Sequence, residues 1–398
     1  MNYVISDKMK NLKPSAIREI FKYAADPAVI SFAGGNPAPE TLPVNDIKRF
    51  MSKTLEENPA QALLYSQSEG HPPLRAEVRR FIRDAYGIGG DGDELMIVSG
   101  AQQCMDLVTR VLCNEGDTVI CEDPSFIGSL NCFRSYNVSL KGVPLEQDGI
   151  NLELLEKAIT ENKNVRFMYL IPNFQNPTGI TMSLEKRKAV LALAKKYGVP
   201  VLEDNPYGDL RFTGEDIPSI KSMDEDGLVI YAGTFSKILS TGIRAGYLSA
   251  PAQIFPSLVV AKQCADVHTG MLQQLLCLEF LRGGDLLEYT RRNKAVYAKK
   301  CGLMLKLMDG LFPKSMAYTR PEGGLFIWAA MPPSFDGAEF ALRLVRDYKV
   351  CVVPGSTFCV NDGEKSSAFR LNFSMPNEAQ IKAGIEACAK LLKEMDVK

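Results

Sequence analysis

The sequence predicts an α/β protein: a large domain on a mostly parallel seven-stranded sheet covered by helices, followed by a smaller α+β domain. Three observations carry this. Short apolar runs alternate with helix-period stretches through the middle of the chain, as in a parallel sheet buried on both faces. The last third changes character, with one long charged helix and then mixed strands and helices. At 398 residues the chain is too long for one compact core and suits two domains. We expect an N-terminal helix and arm at 1–40, packing with the small domain and the functional site, a large domain at 41–285 and a small domain at 286–398.

The elements follow in order. The first forty residues hold one amphipathic helix, PSAIREIFKYAAD, and then an extended Gly/Pro-rich stretch, SFAGGNPAPETLP. The apolar runs are LMIVSG (95–100), TVICEDPSF (118–126), VRFMYLIP (165–172), VPVLEDNPY (199–207), LVIYAGTFSK (228–237) and AGYLSA (245–250). Each is rich in Val, Ile, Leu, Tyr or Phe and stops at turn-forming residues. Between them lie helical stretches such as AQQCMDLVTRVLC (101–113) and SLEKRKAVLALAKKYG (183–198), the second with Ser183 as N-cap and Gly198 after its last turn. The smaller domain reads as a helix over 286–308, strands in GGLFIW (323–328), VCVVPG (350–355) and AFRLNFS (368–374), and helices at 337–348 and 377–395.

Composition excludes several classes. Lys plus Arg is 46 and Asp plus Glu is 47, so the basic excess expected of a nucleic-acid binder is missing. No apolar run is long enough to span a bilayer, and the N-terminus lacks the apolar core of a secretory signal. Ten cysteines are scattered without a C-x-x-C pair, which reads as free thiols in a reducing cytoplasm. With only His71 and His268, a zinc site built on several histidines is nearly excluded and no metal site is expected. Both histidines read as structural or loop residues. Gly87 to Gly92 matches G-x-G-x-x-G, but a helix precedes it and a strand follows, the reverse of a dinucleotide fingerprint. It reads as a helix C-cap and connecting loop.

Ligands of an open parallel sheet bind at the carboxyl ends of its strands. There the sequence places Gly100-Ala101-Gln102 at a helix start, where free N–H groups suit a phosphate. Phe126 ends the second run, and Asn173 to Gly179 form a turn cluster bearing amides after the third. Asp204 ends an all-apolar strand, where a carboxylate is costly to bury unless a donor meets it. Tyr207 follows it. Lys237 ends another strand, a candidate nucleophile with a lowered pKa, and Arg244 lies within reach of an anion. Anion donors, an aromatic, an acid, a phenol, an amide, a lysine and an arginine at one sheet edge match the needs of pyridoxal 5′-phosphate.

These residues stand in N176-P-T-G, D204-N-P-Y207, T234-F-S-K237-I-L-S-T-G-I-R244 and F369-R370-L, whose order and spacing resemble the class I aminotransferases of fold type I over nearly the whole chain. SAIREIFKYAADPAVISFAGGNPAPE and AKQCADVHTGMLQQLL resemble the 2-aminoadipate/kynurenine/aromatic subgroup. The resemblance implies that Lys237 is the Schiff-base lysine and proton carrier, that Asp204 holds the pyridinium nitrogen, and that Tyr207 and Asn176 bond the ring oxygen. It implies Phe126 on the ring face, and Ala101, Gln102, Thr234, Ser236 and Arg244 around the phosphate. Arg370 would bind the substrate α-carboxylate, helped by Asn176. Tyr65 would reach the phosphate of a neighbouring subunit, which implies a homodimer with active sites at the subunit interface. Arg18 and Gly34 would border the substrate side chain, Arg18 meeting a distal carboxylate or swinging out for a neutral one. Phe126 stands where the subgroup often has Tyr, and Ala101 where Ser is common.

The activity so implied is transfer of an amino group between an L-amino acid and a 2-oxo acid, with 2-oxoglutarate and glutamate as one pair, by a ping-pong mechanism. The alternative is a C–S β-lyase or another lyase of the same fold, cyclopropane-forming synthases included. A transcription regulator with the same fold would carry a DNA-binding module, and about forty residues before the large domain are too few for one.

Overall fold

The computed structural model describes residues 3–10, 26–90, 92–283 and 285–398. The strands are β1 (Ile30–Ser31), β2 (Asp93–Val98), β3 (Thr118–Asp123), β4 (Ser139–Glu146), β5 (Gly149–Ile150), β6 (Val165–Leu170), β7 (Val201–Asp204), β8 (Val229–Thr234), β9 (Gly246–Pro251), β10 (Ala317–Tyr318), β11 (Phe326–Ala330), β12 (Val350–Cys351), β13 (Val353–Pro354) and β14 (Ala368–Asn372). The large sheet runs β2-β9-β8-β7-β6-β3-β4-β5. The five strands from β8 to β4 are parallel, and β9 is antiparallel to both β8 and β2. The expected seven strands are there, and an eighth, the two-residue β5, extends the edge as the antiparallel partner of β4.

Both faces of this sheet are covered. Val119, Phe167, Tyr169, Leu202 and Ile230 belong to the main core. The alternate residues Ile120, Met168, Val201 and Val229 pack with Leu155 and Val190 of the helices Leu152–Glu161 and Leu184–Tyr197. That is the period-2 division of a strand buried on two sides. The second helix is capped as its sequence predicts: the Lys186 N–H donates to Ser183 Oγ and Gly198 is left-handed at φ 66°. Gly87 likewise ends the helix Pro72–Tyr86 at φ 67°, so the G-x-G-x-x-G match is a C-cap.

The smaller sheet is antiparallel, in the order β10-β11-β14-β13. The run predicted as one strand over 350–355 serves two sheets: β12 pairs in parallel with β1 of the N-terminal arm, and β13 pairs with β14. The strand expected in GGLFIW begins only at Phe326, because Gly323 and Gly324 lie against the Phe174 ring in the preceding turn. The long helix Asp285–Leu311 packs on the helix Glu378–Glu394. The arm is tied to this half of the molecule, since the Phe32 N–H donates to the Cys351 carbonyl and the Asn372 N–H to the Phe32 carbonyl. The cysteines other than Cys351 are free, and five of them are buried. No described helix is long and apolar enough to cross a membrane, and the described residues hold no metal-binding cluster.

Candidate active site

The loops at the carboxyl ends of the parallel strands meet β14 around a cavity of about 430 Å³. Asp204 ends β7, Thr234 ends the adjacent β8, and Lys237 follows in the next turn. Ala101 and Gln102 open the helix Ala101–Leu112 after β2, and Phe126 precedes the helix Ile127–Arg134 after β3. Asn176 comes from the turn after β6, and Arg370 from the middle of β14, opposite Trp328. These eight, with Tyr207, Ser236 and Arg244, all line the cavity. A larger cleft of about 850 Å³ lies between β4–β5 and the small sheet and holds none of the described residues expected to act.

One end of the cavity is a cradle of donors. Gly100 sits at φ 82°, and a Cβ there would come within 2.4 Å of Arg244 Nη2, so glycine lets the guanidinium close on the helix start. Arg244, itself left-handed, donates through Nη1 to Ser236 Oγ at 3.2 Å. The backbone N–H groups that begin the helix carry the positive end of its dipole. Thr234 turns its hydroxyl inward, donating to the Ala245 carbonyl and accepting from the Ser236 N–H, so it shapes the turn that presents Ser236. Gln102 donates to the Gly128 carbonyl at 2.9 Å, beside the Phe126 ring.

The opposite wall holds the ionisable groups. Asp204 accepts from the Tyr169 hydroxyl through Oδ2 at 2.7 Å, while its buried Oδ1 has no partner. Burial pushes its carboxyl up to about 7, against the Tyr169 hydrogen bond and the Lys237 charge. The Lys237 ammonium donates to the Gly35 carbonyl at 2.7 Å. Burial first, and then the Arg370 and Arg244 charges, lower its pKa to about 8. Burial raises the Tyr207 phenol. Asn176 bridges the two halves of the site, donating to Tyr207 Oη at 3.3 Å and accepting from Arg370 Nη1 at 2.7 Å. Arg370 also donates to the Ala33 carbonyl and stacks 4.1 Å from the Phe326 ring centre. Its buried Nε is left without a partner.

Two expected residues are not on this wall. Gly34 lies off it, and Gly35, the neighbour, lines the cavity. Tyr65 is 89% exposed, outside this chain's cavity and edge-on to His268. Arg18 lies outside the described residues. The structure adds Tyr169, Ser129 and Phe326, which the sequence left unmarked, and the carbonyl of Gly35. Gly35 alone carried a signal, as the second glycine of a pair near an amphipathic helix. His71 precedes the helix Pro72–Tyr86, and His268 Nδ1 bonds the Thr269 carbonyl, so neither reaches the cavity.

The family description aminotransferase class I and II matches residues 27–387. The chain belongs to the class I and II aminotransferases. It is therefore an aminotransferase, and its cofactor is pyridoxal 5′-phosphate. Aromatic-amino-acid aminotransferase 1 of Thermococcus litoralis is 38% identical over 98% of this aminotransferase and 94% of the relative. The kynurenine aminotransferase of Pyrococcus horikoshii, solved with PMP, KYN and KYA, is 35% identical with a TM-score of 0.95, over 98% of this chain and 97% of that one. The α-aminoadipate aminotransferase of Thermus thermophilus, complexed with N-(5′-phosphopyridoxyl)-L-leucine, is 35% identical with a TM-score of 0.90 over the same shares. The residues of this aminotransferase fit the cofactor on their own evidence. The orphaned Asp204 Oδ1 suits a protonated ring nitrogen, and the glycine-floored cradle with Arg244 suits a phosphate.

Proposed function

We propose that the chain moves an amino group between an L-amino acid of the 2-aminoadipate, aromatic or branched aliphatic type and a 2-oxo acid, with 2-oxoglutarate and glutamate as one pair. The observation that carries the chemistry is that Lys237 and Asp204, whose free Oδ1 is buried, line the same cavity. When bound, pyridoxal 5′-phosphate supplies an aldehyde that captures amines and a protonated ring that accepts the electrons of the broken Cα–H bond. Lys237 Nζ would hold the cofactor through its aldehyde and, as a free amine, would carry the proton between Cα and C4′. Its lowered pKa leaves a useful fraction of free amine near neutral pH. Asp204 Oδ1 holds the proton of the ring nitrogen, while Tyr207 and Asn176 fix the ring oxygen. Phe126, which lines the cavity, would lie against the ring face. Ala101, Gln102, Ser236 and Arg244 hold the phosphate, with Thr234 setting the Ser236 turn.

Arg370 takes the α-carboxylate with the Nε that has no partner now, so Cα is fixed over the ring. Arg370→Ala should raise KM for every amino acid alike, by about 2–5 kcal/mol of lost charge-assisted pairing. A loss that varied strongly with the side chain would make Arg370 a side-chain reader instead.

Arg18 and the Gly34-Gly35 stretch are proposed to border the substrate side chain, and Tyr65 to serve the phosphate of a second copy. The exposure of Tyr65 beside exposed Leu63 and Leu64 supports such a homodimer. The pairing of β1 with β12 supports an arm over 1–40 that serves a small domain at 286–398, with 41–285 as the cofactor-binding domain. The free thiols support a cytoplasmic setting.

The testing experiment is a spectral screen of amino acids for conversion of the bound cofactor to its amine form, with ammonia release measured in parallel. Aromatic, branched and acidic donors should convert it without releasing ammonia. Ammonia and pyruvate without an acceptor would support the lyase instead. In the same screen Arg18→Ala should lose glutamate by at least about tenfold, roughly 1.4 kcal/mol, with leucine and phenylalanine little changed.

A further inference from the structure

Behind the ring-facing acid runs a buried chain of three side chains. Ser129 Oγ donates to Tyr169 Oη at 2.9 Å, and Tyr169 Oη donates to Asp204 Oδ2 at 2.7 Å. The directions are forced. A carboxylate only accepts, so the single hydroxyl proton of Tyr169 goes to Asp204, and Ser129 must then donate to the tyrosine oxygen. Tyr169 is fully buried on β6 with its ring edge-on to Phe133 at 5.2 Å, so the hydroxyl has little freedom to turn away. The other carboxylate oxygen, Oδ1, is buried and unbonded beside the cavity.

The titratable groups facing Asp204 are Tyr169 on β6, Glu122 on β3, Cys104 on the helix Ala101–Leu112, Tyr207 and Lys237. Glu122 is occupied elsewhere, accepting from the Ile171 N–H and the Gln175 amide. The Lys237 ammonium is on the Gly35 carbonyl, and Tyr207 is with Asn176. Tyr169 is the group the described residues set on the carboxylate by a hydrogen bond.

We propose that Tyr169, backed by Ser129, is a positioning residue for Asp204: it occupies one carboxylate oxygen, turns the other toward the cofactor ring nitrogen, and keeps the buried acid ionised. This rests on the reading of Asp204 as the partner of that nitrogen. A buried hydroxyl needs some acceptor in any fold, and the positioning role asks more than that. It requires that removal of the hydroxyl be felt through the ring nitrogen. A fixed hydrogen bond to a charged acceptor is among the stronger ones, and without it burial drives the acid toward its neutral form, which cannot pair with a protonated ring.

The experiment compares pyridoxal 5′-phosphate with 1-deazapyridoxal 5′-phosphate, which carries C–H in place of the ring nitrogen. Dissociation constants are taken by absorbance titration of the full-length protein stripped of cofactor. The wild type should prefer the natural cofactor by about tenfold or more; equal affinities would defeat the reading of Asp204 itself. Tyr169→Phe keeps the ring volume and should weaken the natural cofactor by about tenfold or more, leaving the deaza analogue within about twofold. Ser129→Ala leaves Tyr169 in place and should shift the same comparison in the same direction by a smaller factor, and it carries the test if Tyr169→Phe does not fold. A wild type that keeps its preference while both variants weaken the two ligands equally, or neither, overturns the positioning role.

Discussion

Lys237→Ala should leave a protein that still takes up pyridoxal 5′-phosphate but turns over several orders of magnitude more slowly, because one change removes both the covalent anchor and the proton carrier. The phosphate cradle and Asp204 do not depend on the lysine, so uptake survives. The turn after β8 aims the side chain into the cavity, where burial and two arginines hold its pKa near 8 rather than at the usual lysine value. A buried ammonium beside two guanidinium groups gives up its proton readily. Covalent capture of the cofactor by the stripped protein should therefore speed up as pH rises through about 8 and level off above it. Borohydride reduction followed by peptide mapping checks the assignment directly, and a label on any other lysine refutes it.

Asp204→Ala should cost far more in rate than in fold. With the carboxylate gone, nothing among the described residues pairs with the ring proton, and the ring loses its capacity to take electrons from the breaking Cα–H bond. A loss of about 10²–10³-fold in kcat is expected, the size seen when one preorganised charge-stabilising group is removed. The thermal midpoint should fall little or rise, since the wild type buries this acid against a desolvation penalty that lifts its pKa to about 7. Near-wild-type turnover would take Asp204 off the ring nitrogen.

What could be read from the chain, and what could not, follows from physical differences between residues. Asp204 and Lys237 declare themselves because a charged residue that closes an apolar run has to be met by something. Arg370 gives no such signal, since it sits inside β14 between Phe369 and Leu371, and resemblance alone singled it out. Tyr169 is harder still. It occupies an ordinary core position of β6, and tyrosine there looks like packing until the hydroxyl is seen on Asp204. Strand β4, flanked on its outer side only by the two-residue β5, shows no apolar run because Lys141, Gly142 and Pro144 interrupt it, as suits a strand with one exposed side. The Gly34-Gly35 stretch was legible as a close backbone approach, but two adjacent glycines are equivalent on paper and only the path of the arm shows that Gly35 is the one on the cavity.

Arg370 and the Ala33 carbonyl are joined by a 2.7 Å hydrogen bond between residues 337 positions apart. The groups of the same chain proposed to hold the phosphate and ring nitrogen, by contrast, come from 101–244. The two halves therefore differ in the length of chain that must close to form them. Closing the longer loop costs more chain entropy, and a chain made from its N-terminus completes the inner segment first. A chain that ends before β14 would hold the cofactor groups without the clamp that places an amino acid over them.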